Sequence, residues 1–167
     1  MKRFVLLLPL LLLWACHKQP APATLSVYYW KTRFFLDAPQ RQFLSKYAIQ
    51  KLYIRYCDII LSGGEAIPDA PVELDTITLK NKEVIPVIYL KNEVFLSDKV
   101  SAELLAEKLS KYIAQINHTY NLTVKEVQLD CDWSLRSKER YFDFIKYFKA
   151  KTPYLLSATI RLHQVKY

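Results

Sequence analysis

The chain has 167 residues, with 24 Lys and Arg against 16 Asp and Glu, and its only two glycines are adjacent, at positions 63 and 64. A Gly-rich phosphate loop is therefore missing, so dinucleotide or nucleoside-triphosphate binding of the familiar kinds is not expected, and no cofactor is implied. The basic excess comes without a Lys/Arg run or interleaved Arg and aromatic residues, which argues for solubility and attraction to anionic surfaces, with no nucleic acid as partner.

In chain order, Lys2 and Arg3 precede an apolar run over 4–14 that ends in Leu13-Trp14-Ala15-Cys16. The run is shorter than the ~20 residues of a membrane span, and residues 1–15 read as a secretory signal peptide. The last four residues resemble the lipobox of bacterial lipoproteins. That resemblance implies lipidation at Cys16, which becomes the mature N-terminus, and a lipid bilayer as partner through the acyl chains. An ordinary signal peptide with a chance cysteine is the alternative. Residues 16–24, with Pro20 and Pro22, then form a lipidated cysteine and short extended tether. His17-Lys18-Gln19 lacks an acidic cluster, which favours the cell envelope's outer membrane with the protein facing the periplasm. Without Lys2 and Arg3 the basic count falls to 22 against 16 acidic residues, a net +6.

Residues 25–167 are the size of one domain and alternate strand with helix. Strands are expected over 25–31 (LSVYYWK), 51–60 (KLYIRYCDII), 84–91 (VIPVIYLK), 127–134 (VQLDCDWS) and 154–165 (YLLSATIRLHQV). Helices are expected from Pro39 to about Tyr47, over 101–115 behind Ser101, and over 136–149 before Pro153. Ser62-Gly63-Gly64 closes the second strand, and 65–82 read as a long rim loop carrying an extra strand. Pro86 predicts irregular pairing near the start of its strand. Cys57 and Cys131 fall in strands and are expected as buried free thiols, with a disulfide between them the alternative in an oxidising compartment. With no CxxC pattern, a zinc site has no support.

The alternation implies a parallel sheet with right-handed crossovers. Polar residues at every second position of several strands favour an α/β fold of the incomplete (β/α)8 TIM-barrel kind, about five strands of a parallel barrel. A five-stranded doubly wound sandwich is the alternative. Two-residue periodicity places Asp130, Asp132 and Ser134 on one face of their strand and Leu129, Cys131 and Trp133 on the other. If the less polar faces pack on helices, Arg55, Lys91, Arg161 and His163 gather in the interior around Asp130 and Asp132. A structural ion-pair network is the plain account of such a cluster. A metal is not expected, because cationic neighbours compete with it.

Leu129-Asp130-Cys131-Asp132-Trp133 resembles the fourth-strand motif of family 18-type, chitinase-like glycoside hydrolases, D-x-x-D-x-D-x-E. Asp130 and Asp132 match its second and third aspartates, which in that family support the acid and the substrate's acetamido group. Val127 stands in place of the first aspartate and Ser134 in place of the proton-donating glutamate, which takes away leaving-group protonation worth ~10²–10⁴-fold. The mature chain also resembles the N-terminal part of uncharacterised Bacteroidota-type lipoproteins, which brings no activity with it. Two functions are expected from these observations. One is a lipid-anchored, glycosidase-like barrel with Asp130, Asp132 and His163 as catalytic candidates and Trp30, Arg55, Tyr56, Lys91, Trp133 and Arg161 as substrate-binding candidates. The other is a non-catalytic envelope protein binding a glycan or partner, with Trp30 and Tyr56 as stacking platforms.

Overall fold

The computed structural model describes residues 23–166. The signal peptide, Cys16 and most of the tether lie outside the described residues.

The fold is α/β around a mostly parallel sheet. Its path is β1 (Ser26–Tyr29), β3 (Lys51–Ser62), β6 (Glu83–Leu90), β7 (Glu126–Cys131) and β8 (Leu155–Ala158), all parallel. Each of these strands neighbours the one that precedes it along this path. The order reverses nowhere, whereas a reversal defines the doubly wound sheet. Off the path, β4 (Glu65–Asp69) folds back antiparallel on the upper part of β3. The Ser62-Gly63-Gly64-Glu65 turn makes this possible, since both glycines adopt positive φ, 60° and 87°, as a two-residue hairpin requires. A second small sheet pairs β2 (Arg33–Phe34) with β5 (Glu73–Leu74). The expected rim loop is thus largely a hairpin plus one short strand, and Thr76 to Asn81 form turns.

Helix α1 (Ala38–Lys46) begins at a reciprocal cap. The Asp37 carboxylate accepts from the Gln40 amide at 2.8 Å while the Gln40 side chain accepts from the Asp37 amide at 3.0 Å. Helix α2 (Asn92–Leu96) is one short turn after β6. Helices α3 (Ala102–Thr119) and α4 (Lys138–Lys151) pack against each other over the sheet. Each runs beyond its expected C-terminal end, α3 past Gln115 and α4 past Lys149. From α3 come Leu105, Leu109, Ile113 and Ile116, from α4 Tyr141, Phe144 and Phe148, all buried in one core with Ile54, Ile88, Leu90, Leu129 and Cys131 of the sheet. Among the described residues no helix is long and apolar enough to cross a membrane.

Two strands differ from expectation. The fourth main strand ends at Cys131, so Asp132 stands just past it. The fifth ends at Ala158 and not at Val165, because the chain turns back. Gln164 Oε1 accepts from the Arg161 amide at 2.7 Å, and the buried Gln164 Nε2 donates to the carbonyls of Cys131 and Trp133 at 3.1 and 3.0 Å. The side chain of Gln164 therefore takes up the free carbonyls at the end of β7, as an unpaired buried backbone requires. Irregular pairing does occur beside Pro86, but in β3. The register slips between Arg55 and Cys57, one step above the Ile54–Pro86 pair.

Candidate functional site

The face of the sheet away from the helices is polar, and registers put its residues in rows. Tyr28, Tyr53 and Ile85 form one row, Arg55, Val87, Gln128 and Ser157 the next, and Asp58, Tyr89 and Asp130 the one above. Asp58 shares a face with Arg55, three residues earlier, only because the bulge at Tyr56 resets the alternation. The two bond at 2.8 Å as a result.

This face is concave. The Tyr28 hydroxyl donates to Gln128 Oε1 at 2.9 Å, although β1 and β7 are three strand spacings apart. Those spacings amount to about 14 Å in a flat sheet, across which side chains standing perpendicular would not meet. Lower down, Lys51 Nζ of β3 reaches Glu126 Oε2 of β7 at 2.7 Å, and Ser157 Oγ donates to Glu126 Oε1 at 2.7 Å. Ile85 and Val87 of β6, which lies between the strands so joined, are buried although they are on the polar face. Burial opposes the charge on Glu126, but the hydrogen bonds from Lys51 and Ser157 outweigh it and hold that carboxyl below its usual value.

At the C-terminal ends of the strands, Asp130, Asp132 and Arg161 meet. Arg161 Nη2 donates to Asp130 Oδ1 at 3.2 Å and its Nε donates to Asp132 Oδ1. Thr159 Oγ1 also donates to Asp130 Oδ1, and the Tyr89 hydroxyl donates to Asp132 Oδ2 at 3.3 Å. The side chain of Asp130 is 3% exposed, that of Asp132 42% and that of Arg161 43%. The hydrogen bond with Asp132 holds the Arg161 guanidinium in its charged form beyond its already high range. Burial, then the Asp132 charge, raises the Tyr89 hydroxyl, which stays a donor at neutral pH.

On the same face Trp30, Tyr28 and Tyr53 form a ladder of rings. Tyr28 stacks on Tyr53 with centroids 4.6 Å apart, and Trp30 lies nearly parallel to Tyr28 at 6.1 Å. Trp30 and Tyr28 are each about half exposed, 48% and 47%.

The other expected site residues fall elsewhere. Arg55 is buried, spent on Asp58 and on the Ala70 carbonyl at 3.2 Å, and does not join Asp130 and Asp132. Lys91 lies beyond the end of β6 as the exposed residue preceding α2, outside the cluster. His163 sits in the turn that Gln164 closes, exposed, and makes no hydrogen bond or ion pair among the described residues. Tyr56 is not a platform. It is fully buried under α3, donating to Asn117 Oδ1 at 3.1 Å, and its parity with Ile54 already assigns it to the helix side. Trp133 is buried as well, tilted against Phe142 with centroids 5.6 Å apart. Ser134 exchanges hydrogen bonds with Ser137, and its Oγ accepts from Asn92 Nδ2 at 3.4 Å.

Parity of the fifth strand places Thr159 on the face of Arg161 without giving it a role, whereas Tyr53 and Gln164 are passed over. Parity could have found Tyr53, since it alternates with Arg55. Nothing in the sequence marks Gln164. Among the described residues no group of three or more His, Cys, Asp or Glu is placed to hold a metal ion. No protein-family model, curated protein or solved structure matches the chain.

Proposed function

We propose that this chain is a lipid-anchored protein of the bacterial cell envelope, whose curled sheet is part of a β/α barrel and whose concave face binds glycans without hydrolysing them. Strand order without reversal and curvature toward the polar face support the barrel. The observation that carries glycan binding is the ring ladder of half-exposed Trp30 and Tyr28 on Tyr53, beside hydrogen-bonding groups on one concave face. Flat aromatic faces take the apolar faces of sugar rings, and the surrounding polar groups take the hydroxyls.

Hydrolysis would need a carboxylic acid poised to protonate the leaving oxygen and a second carboxylate opposite it. Here Asp130 and Asp132 share one guanidinium, both Asp132 oxygens accept hydrogen bonds, and Ser134 is engaged with Ser137. Those contacts favour binding over turnover. Anchoring rests on Cys16 and its preceding segment, with the protein facing the periplasm from the outer membrane.

Calorimetric titration with soluble N-acetylglucosamine and glucosamine oligomers tests the reading. Trp30→Ala is expected to weaken binding about tenfold, the worth of one stacked aromatic contact. Absence of heat with every oligomer, or an affinity indifferent to Trp30→Ala, overturns it; release of reducing ends would restore the hydrolase. Mass spectrometry of the mature protein should find an acylated N-terminal Cys16.

A further inference from the structure

Three of the parallel crossovers of the main sheet carry a helix, α1 after β1, α3 after β6 and α4 after β7. Residues 63–82, which join β3 to β6, form instead the β4 hairpin, β5 and turns. A crossover helix packs on the face of the strands it joins. Beside α3, where that helix is missing, a trough of about 350 Å³ opens between α3 and β4. Its walls are Ile59, Ala66 and Pro68 on one side and Leu105, Leu109 and Tyr112 on the other. It lies on the opposite side of the sheet from the aromatic ladder, since Ile59 alternates with Asp58 of the concave face.

Its volume falls within the ~300–1,000 Å³ of small-molecule sites, and mostly apolar walls with a few polar groups are their usual make-up. Ala66 and Pro68 line the trough, so strand alternation turns Glu65, Ile67 and Asp69 away from it. The charged residues that line it are both lysines. Lys108, Lys111 and Gln115, at i, i+3 and i+7 on α3, form its exposed rim. The carboxylates of α3 are matched elsewhere: Glu103 pairs with Lys151 at 3.6 Å and Glu107 with Lys111 at 2.6 Å. Exposed pairs of this kind are worth little, so Lys111 is easily drawn to a second anion. Lys108 and the Tyr112 hydroxyl make no hydrogen bond or ion pair among the described residues. Burial, then Cys57, raises that hydroxyl, which stays a donor at neutral pH. From Leu105 to Gln115 the wall of α3 is about 15 Å long at ~1.5 Å per residue. An extended chain advances about 1.2 Å per bond, so an alkyl chain of about twelve carbons spans it.

We infer that this trough binds a single-chain anionic amphiphile of the fatty-acid class, its alkyl chain against Ile59, Pro68, Leu105 and Leu109 and its carboxylate at the rim with Lys108 and Lys111.

The full chain is titrated calorimetrically at neutral pH with octanoate, decanoate, dodecanoate and tetradecanoate below their micelle concentrations, and with dodecyltrimethylammonium. Dodecanoate should bind at one per chain. A fully buried methylene is worth about fourfold in affinity. With one side of the trough open to solvent, each added methylene should bring about twofold, up to dodecanoate and no further. The ammonium amphiphile should bind about fivefold more weakly than dodecanoate, and Lys108→Glu should close that gap. Ala66→Trp fills the trough from the hairpin and should abolish dodecanoate binding. Failure to bind any carboxylate, affinity indifferent to chain length, or equal affinity for carboxylate and ammonium in the unaltered chain overturns the inference. So does dodecanoate binding that survives Ala66→Trp, or binding to anionic phosphatidylglycerol vesicles with none to the free carboxylates. The ligand comparisons use the unaltered chain, so misfolding of a variant cannot mask them, and glycan binding on the opposite face stands or falls separately.

Discussion

Removing the Arg161 side chain tests the strand-end cluster energetically. Arg161 touches two carboxylates of very different exposure, Asp130 at 3% and Asp132 at 42%, and is itself 43% exposed. Breaking a fully buried pair by deleting one partner costs about 3–5 kcal/mol, and an exposed pair contributes about 0–1 kcal/mol. Arg161 is half solvated, but Asp130 would be left enclosed with only Thr159 donating to it, so Arg161→Ala should cost about 2 kcal/mol. For a domain of this size that lowers Tm by about 6–8 °C. Thermal and urea unfolding of Arg161→Ala, Asp130→Asn, Asp132→Asn and the two double variants measures the couplings. The expected coupling of Arg161 is about 1–2 kcal/mol to Asp130 and under about 0.5 kcal/mol to Asp132, even though Asp132 makes the closer contact. A larger coupling to Asp132, or a fully additive Arg161–Asp130 pair, refutes the argument that burial decides the matter.

The Lys51–Glu126 bridge sets a pH window. Hydrogen bonding to Glu126 raises Lys51, while burial opposes and Lys51 and Ser157 lower Glu126, from ordinary values of 10.5 and 4.5. The lowered carboxyl stabilises the fold above its unfolded value and is lost on acidification; the raised amine stabilises it below its own and is lost in strong alkali. Urea midpoints should therefore fall at both extremes, and less so in Lys51→Met. Burial pushes the Cys57 and Cys131 thiols up to about 12, so a thiol reagent at neutral pH should label neither until unfolding. Labelling at the rate of a free thiol would contradict their burial. The outer edges of β1 and β8 have no strand partner among the described residues, and Ile160 and Leu162 beside β8 are exposed. The chain should self-associate in sedimentation as concentration rises, and Ile160→Lys with Leu162→Lys should reduce this.

Two-residue periodicity carried most of what was legible. It assigned Asp130 and Asp132 to the face opposite Cys131 and Trp133, and Arg161 to the same side, because β7 is regular to Cys131 and one face is plainly apolar. It failed at the bulge of β3 and past the turn that follows Arg161. The bulge at Tyr56 moves Asp58 onto the face of Arg55 and supplies that arginine with a nearer partner than the aspartates of β7. A parity extended through residue 163 takes the chain as strand, yet Gln164 bends it back after Ala158, so His163 leaves the row. Residue type suggests Trp133 and Tyr56 as substrate contacts although their own parity points to the helices, and aromatic bulk serves a core as readily as a binding face. The β4 hairpin was readable in its paired glycines, which mark a reversal and not merely an end.

The bond from Tyr28 to Gln128 joins residues 100 positions apart, whereas each parallel strand pairs with the one formed before it along the sheet. Assembly can therefore proceed outward from β1 and β3, with every new strand finding its neighbour in place. The link across the concave face must wait until β7 has docked. It stands late on the folding route, where an interaction governs escape from the native state and hardly touches arrival. Tyr28→Phe should accordingly quicken unfolding while leaving the refolding rate almost unchanged, so the same hydroxyl that shapes the face also sets how long the curved sheet persists once made.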